Sequence, residues 1–297
     1  MQERPSIRQL EYFVALSETL NFRKAAERCF VSQPALSAQI QKLEAILGVR
    51  LFERDARRVL PTAVGVEIAT KAREVLERCD QLGDVAQHFG DPLAGRLRLG
   101  VIPTVAPYVL PRVLPGVRTR FPKLELLIRE DRTSSLLQEL AAGRLDVLLL
   151  ALDVDLGDVT TQLLFEEAFV FAAPSGHRLA RRKRIGQDEL EGERVLLLEE
   201  GHCLRDSALE VCRRGRAREV EEFRATSLGT LVQMVASGIG VTLLPEMAVP
   251  VEARAGEIAV VPFASPPPVR QLGLAWRPTS GLGAGFRALG EYLETLL

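Results

Sequence analysis

The chain has 297 residues, 47% of them hydrophobic and 26% charged, with a net charge of −1. That describes a globular protein with ample core and more than one domain, and it excludes a uniformly polycationic nucleic-acid binder while allowing a locally basic surface. Four cysteines in so long a chain make no structural disulfide framework.

The opening Met1-Gln2-Glu3-Arg4-Pro5 lacks the apolar core of a signal peptide. No run reaches the roughly 18 apolar residues of a membrane span, so a cytoplasmic protein without membrane contact is expected. Ser6 reads as the N-cap of a first helix with Ile7, Leu10, Phe13, Val14 and Leu16 on its apolar face. A short second helix runs from Phe22 to Cys29, where Ala25 and Ala26 are small enough to let another helix approach. After the break Phe30-Val31-Ser32, a third helix opens at Gln33, with Ser32 as N-cap, Pro34 in its first turn and Leu36, Ile40, Leu43 and Leu47 as its stripe.

Two short helices joined by a three-residue turn make a helix-turn-helix. The expected exposed face of its second helix carries Gln33, Ser37, Gln39 and Gln41, with Pro34 and Ala35 at its start. Amides, hydroxyls and small apolar groups suit base edges and thymine methyls in a major groove, so double-stranded DNA is the expected partner. Residues 48–54 and 57–60 read as two strands with a basic tip, a wing whose Arg54 and Arg57 can reach phosphates, as can Arg23 from the second helix.

A long helix follows from Thr62 to Phe89, about 27 residues or roughly 40 Å, and such a helix most simply pairs with its copy in a dimer. Cys29 and Cys79 have apolar neighbours and read as packing residues. Residues 90–95 form a turn-rich hinge. The predicted organisation is therefore a winged helix-turn-helix over 1–61, a linker helix over 62–89, a hinge over 90–95 and an α/β body over 96–297.

In that body, strands are predicted at 96–101, 124–130 and 146–151, with helices at 105–119 and 134–142 between them, a βαβ order implying right-handed crossovers. A second set has strands at 167–173, 195–198, 222–226, 241–244 and 272–276, and helices at 204–214, 227–237 and 285–297. Two α/β lobes with a cleft between them follow, with ligand sites at strand C-terminal ends and helix N-termini. Thr104 stands at one such end, and Thr133 with Ser134 and Ser135 reads as the cap of the helix after the second strand.

The stretch Leu196 to Cys212 holds two of the cysteines, nine residues apart. Cys203 is expected at a helix N-terminus beside His202 and Arg205, where helix dipole and cation favour a thiolate. On one continuous helix the pair would be separated by roughly 13.5 Å and about 180°, whereas a disulfide needs Cα atoms within about 7 Å. The pair joins only if the helix between them melts, which marks a redox switch; buried packing thiols, or a metal site with His202, are the other readings.

The order Phe22, Ala25-Ala26, Val31-Ser32-Gln33-Pro34-Ala35-Leu36-Ser37, Gln39-Ile40, Leu43-Glu44, Leu47-Gly48, Leu51-Phe52 and Arg54 closely resembles the DNA-binding domain of LysR-type transcriptional regulators. The two-lobed body resembles their effector domain, which is like the periplasmic (type 2) solute-binding proteins. Gly201-His202-Cys203-Leu204-Arg205-Asp206 with Cys212, Ile102 to Pro111, and Phe223 to Leu228 resemble the hydrogen-peroxide-sensing OxyR branch. That resemblance implies Cys203 as peroxidatic cysteine, oxidised to a sulfenic acid, and Cys212 as the residue resolving it to a disulfide. It further implies that His202, Arg205 and Asp206 hold and tune the reactive loop and that Thr104 and Thr133 bind peroxide. A dimer through the linker helix, a homotetramer, RNA polymerase, a glutaredoxin- or thioredoxin-type reductant and control of antioxidant genes complete the expectation, with no cofactor and no metal.

Two features depart from that pattern: Arg213, Arg214, Arg216 and Arg218 in a predicted loop that is more acidic in familiar members, and Glu222 where some relatives carry histidine. Two other functions remain open at this point. One is a LysR-type regulator whose cleft binds a small organic effector while its cysteines stay inert; the other is a thiol peroxidase, against which the winged helix counts.

Overall fold

The computed structural model describes residues 4–55, 58–88, 93–253 and 258–297. Two compact units divide the chain, Met1–Ala86 and Gln87–Leu297.

In the first unit, α1 (Ile7–Thr19) is capped by a reciprocal Ser6–Gln9 box. α2 (Phe22–Arg28) is capped by Asn21, and α3 (Gln33–Leu47) by Ser32, ending at Gly48 with φ +69. That left-handed conformation costs glycine nothing and turns the chain sharply out of the helix. β1 (Phe52–Asp55) and β2 (Arg58–Pro61) pair antiparallel as the wing, and α4 (Ala63–His88) opens with the Thr62 hydroxyl accepting from the Gly65 amide at 3.0 Å. Phe13, Leu16, Ala25, Ala26, Leu36, Ile40, Leu43 and Phe52 form one core. Three expectations shift here. Phe13 and Leu16 are buried as predicted, but Ile7 is exposed and Tyr12 and Ala15 complete the buried face of α1; the turn spans four residues, 29–32, because Cys29 caps α2; and the wing strands start later than predicted.

The second unit comprises β3 (Gly95–Val101), α5 (Ala106–Arg120), β4 (Leu124–Glu130), α6 (Thr133–Ala142), β5 (Val147–Ala151), β6 (Thr160–Pro174), β7 (Arg194–Leu198), α7 (Cys203–Arg214), β8 (Arg218–Ala225), α8 (Leu228–Ala236), β9 (Thr242–Pro245), α9 (Val249–Glu252), β10 (Ile258–Pro262), β11 (Val269–Trp276) and α10 (Gly283–Glu294). A seven-stranded sheet runs β10-β6-β11-β5-β3-β4, with β9 on β6, and β7 and β8 form a separate parallel pair. β3 is parallel to β4 and β5, as the βαβ order requires, but β11 is antiparallel to both β5 and β6, so the sheet is mixed. β6 is far longer than predicted and β10 was missed. The first half of β6 pairs with β11, the second half with β9 and β10, and that long-range pairing sustains a strand whose local pattern is weak.

Two hydrophobic clusters give the unit its lobes. One gathers Val101, Ile102, Val105, Leu136, Leu148 and Phe286; the other gathers Phe169, Phe171, Leu196, Val211, Leu231 and Leu244. β6 and β11 connect them, and an ion pair sits on that connection. Arg270 of β11 is 0% exposed and donates from Nε to Glu167 of β6 at 2.7 Å. Its Nη1 and Nη2 donate to the hydroxyl and carbonyl oxygens of Thr104, both at 3.0 Å, while Glu167 also accepts from the Met247 amide at 3.0 Å. Burial pushes the Glu167 carboxyl above its ordinary range, with Arg270 opposing.

Removing one partner of such a pair strands a buried charge, whereas an exposed pair contributes little. Arg270→Met is expected to cost about 3–5 kcal/mol in urea unfolding of this unit. Glu125→Gln, at the exposed Arg96–Glu125 pair, should change it by less than about 1 kcal/mol.

Candidate redox and DNA-reading sites

β7 ends at Leu198, and the chain turns through Gly201, whose φ of +92 suits glycine and whose Cβ, if present, would meet Arg132 Cδ at 3.2 Å. Arg132 ties this turn down: its guanidinium donates to the Glu199 carboxylate and, at 3.3 Å, to the Glu200 carbonyl. His202 is the N-cap residue without a side-chain cap, and Cys203 is the first residue of α7.

That helix bridges the lobes. Cys203, 4% exposed, belongs to the first cluster, with Val101, Ile102 and Val105; Leu204, Ala208, Val211 and Cys212 belong to the second. Cys212, 5% exposed, lies in the last turns of the same helix. Burial, and then the negative charge of Glu219, push its thiol up to about 12. The cysteines thus occupy opposite faces of one helix and two different cores, and do not come together with His202 as a metal-ligand set.

Two polar atoms are buried without a partner: His202 Nε2, next to Cys203 in the chain, and Thr133 Oγ1, next to the Arg132 that pins this turn. Burial, helped by Arg132, lowers the pKa of His202, so the ring is neutral at pH 7. Thr133 is the first residue of α6 and does not cap it. The N-cap is Arg132 without a side-chain bond, and the Ser135 hydroxyl donates to Asp131 at 2.8 Å, so the predicted hydroxyl cap is corrected. Thr104 is buried with its hydroxyl oxygen on Arg270. Arg205 forks onto Glu219, at 2.7 and 3.2 Å, and reaches the Leu198 carbonyl at 3.4 Å. Asp206 is exposed and lines a cavity of about 320 Å³ with Asp153, Glu210 and Arg214.

Of the arginine-rich segment only Arg216 lies in a loop. Arg213 and Arg214 lie in the last turn of α7, where cations complement the helix dipole, Arg216 turns the chain at φ +52, and Arg218 opens β8. Glu222 lies inside β8.

On the DNA-reading side, Gln33, Pro34 and Ala35 are exposed at the start of α3, with Ser32 capping it. Ser37 is half-buried, and so is Gln39, whose Oε1 accepts from Gln9 Nε2 at 3.1 Å; this face is less open than expected. Arg23 is exposed, 3.6 Å from Glu27. Arg57, and the side chain of Arg54, lie outside the described residues. Sequence reasoning missed Arg132, Glu167, Glu219 and Arg270, each of which meets its partner from a distant element with no local periodicity to announce it.

A winged helix-turn-helix unit beside a two-lobed α/β unit defines a DNA-binding regulator with a responsive body. The chain matches the bacterial regulatory helix-turn-helix protein, lysR family, over residues 7–66 and the LysR substrate binding domain over 90–297. It is 44% identical over 289 residues, 97% of this chain and 95% of the relative, to the DNA-binding transcriptional dual regulator OxyR of Escherichia coli K12. It is 46% identical over 295 residues, 99% of this chain and 95% of the relative, to a probable hydrogen peroxide-inducible genes activator of Streptomyces viridosporus. Among solved structures it is similar to a cysteine mutant of Corynebacterium glutamicum OxyR, hydrogen-peroxide-bound, with TM-score 0.69, 34% identity and coverage of 100% of this chain and 94% of that one. The chain belongs to the LysR family of bacterial transcriptional regulators, in its OxyR branch. No helix among the described residues is long and apolar enough to cross a membrane.

A thiol held near 12 has almost no thiolate at pH 8. In the folded reduced protein, iodoacetamide should alkylate Cys212 at least about a hundredfold more slowly than in the urea-unfolded chain, as counted by peptide mass spectrometry.

Proposed function

We propose that this protein is a transcriptional regulator that senses hydrogen peroxide by reversible Cys203–Cys212 disulfide formation. The observation that carries the reading is α7 itself, with one cysteine at each end and in each lobe's core, beside two unpartnered buried polar atoms. Relatives named hydrogen peroxide-inducible genes activators support it.

A neutral His202 Nε2 and the Thr133 hydroxyl are suited to hydrogen-bond a small polar oxidant, and Thr104, its oxygen already occupied, retains a proton to donate. The Cys203 sulfur attacks one peroxide oxygen and leaves as sulfenic acid with release of water. Arg205 holds the first turn of α7 to β8 of the second lobe through Glu219, and Asp206 adds a negative charge to the same turn. Once α7 unwinds, the Cys212 sulfur displaces the sulfenic oxygen, which departs as a second water. A glutaredoxin- or thioredoxin-type thiol reductant resets the pair.

The response is carried to promoter DNA by α3 through Gln33, Pro34 and Ala35, with Ser32, Ser37, Gln39, Arg23 and the wing arginines Arg54 and Arg57 as further contacts. α4 exposes Val64, Val75 and Leu82 at spacings that put them on one side of the helix, the apolar face a partner's copy of the helix would cover in a dimer. A homotetramer built from such dimers, RNA polymerase as partner, antioxidant genes as targets and a cytoplasmic location complete the proposal. Burial of both thiols favours a second reading, in which the cleft binds a small organic effector and the cysteines are inert.

Brief exposure to stoichiometric hydrogen peroxide, followed by peptide mass spectrometry, is expected to yield a Cys203–Cys212 bond and a changed operator footprint. Cys203→Ser should lose both. A footprint that still answers peroxide in Cys203→Ser contradicts the proposal, and an unchanged thiol count with a metabolite-dependent footprint favours the second reading.

A further inference from the structure

Glu219, the second residue of β8, touches the switch from outside the helix that carries it. Its carboxylate takes the two-pronged Arg205 guanidinium, Oε1 from Nη1 at 2.7 Å and Oε2 from Nη2 at 3.2 Å. Arg205 lies two residues beyond Cys203, is 9% exposed, and has its remaining bond on the Leu198 carbonyl at the end of β7. The other end of α7 is close by. The Ala217 amide just before β8 donates to the Cys212 carbonyl at 2.9 Å, and the Glu219 charge helps keep the Cys212 thiol protonated. Glu219 pairs in register with Val195 of β7, so the carboxylate is mounted on a strand pair that does not contain either cysteine.

Resting on the disulfide reading above, we propose that Glu219 is a positioning residue that times disulfide closure: by holding Arg205 it keeps α7 wound, and so restrains the second step of the reaction without touching the first. Closure must bring sulfurs at the two ends of a helix together, and residues 204–211 lose their helical bonds on the way. Arg205 lies in the first turn to open. Moving it means giving up a forked, charge-assisted pair on a shielded surface, and forks of that kind are stronger than single exposed ion pairs. The Arg214–Glu210 pair at the other end of α7 is exposed on both sides and restrains far less.

The chemistry assigns the restraint to one step. In the first, the Cys203 thiol and hydrogen peroxide give sulfenic acid and water, and the helix need not move. In the second, the Cys212 sulfur bonds to the Cys203 sulfur, the sulfur–oxygen bond breaks, and the hydroxide leaves with the Cys212 proton as water. No further oxidant or reductant enters, so the second step is independent of peroxide concentration.

The test uses the reduced full-length protein mixed rapidly with hydrogen peroxide at several concentrations. Acid quench and mass spectrometry then count sulfenic acid, trapped with dimedone, and disulfide. Glu219→Gln is expected to raise the peroxide-independent closure constant about fivefold and leave the peroxide-dependent constant unchanged. Glu219→Asp, which keeps the charge but shortens the reach, should fall between, and guards against a folding defect in the amide variant. Glu219→Gln added to Arg205→Lys should accelerate closure by a smaller factor than Glu219→Gln does in the unsubstituted protein, because the fork is already lost. A closure constant in Glu219→Gln equal to or below that of the unsubstituted protein, or an effect confined to the first step, overturns the proposal while leaving the switch standing. Absence of any Cys203–Cys212 disulfide in the unsubstituted protein after peroxide overturns both.

Discussion

The spacing of two cysteines on one continuous helix is the constraint on which the rest of this molecule depends. α7 carries Cys203 as its first residue and Cys212 nine residues later. A wound helix holds them roughly 13.5 Å apart on opposite sides. A disulfide between them and an intact α7 are mutually exclusive states, which is the physical content of a switch: two arrangements and no continuous path of small adjustments. The cysteines are also planted in different cores, so joining them takes a packed group out of at least one lobe.

The electrostatics divide the second unit into a fixed frame and a movable part. Arg270, Glu167, Thr104 and the Met247 amide form a closed buried set across β6 and β11, every member satisfied, at the seam between lobes. Such a set rigidifies its surroundings. α7 is held differently, through a single fork at Arg205 and through turns pinned by Arg132 on the side of Glu199 and Glu200. The frame carries Thr104, and α6 with Thr133 packs into the same lobe core through Leu136 and Leu140, so both hydroxyls stand on elements other than α7.

Much of this was legible in the chain. Local capping chemistry placed α1 and α3, because Ser6 and Ser32 act on amides within three residues of themselves. The start of α7 was legible for the same reason: Gly201 and His202 interrupt an apolar strand, and an amphipathic pattern follows at once. What local pattern could not supply was pairing at a distance. β6 reads as a short strand because only its second half is apolar enough to stand out, yet β11 extends it by seven residues, Thr160 to Glu166. Glu219 and Arg270 look like ordinary charged strand residues until the fold brings Arg205 and Thr104 to them. The predicted hydroxyl cap at Thr133 failed because Arg132 takes the N-cap position and Thr133 is already the first residue of the helix, leaving its hydroxyl buried without a partner.

The central claim is that peroxide unwinds α7. Amide hydrogen exchange, read by mass spectrometry on peptides spanning residues 203–214 before and after one equivalent of hydrogen peroxide, tests it directly. The account predicts protected amides in the reduced protein and a large loss of protection across this helix after oxidation, with β6 and β11 unchanged. A disulfide between Cys203 and Cys212 formed with α7 still protected would contradict it.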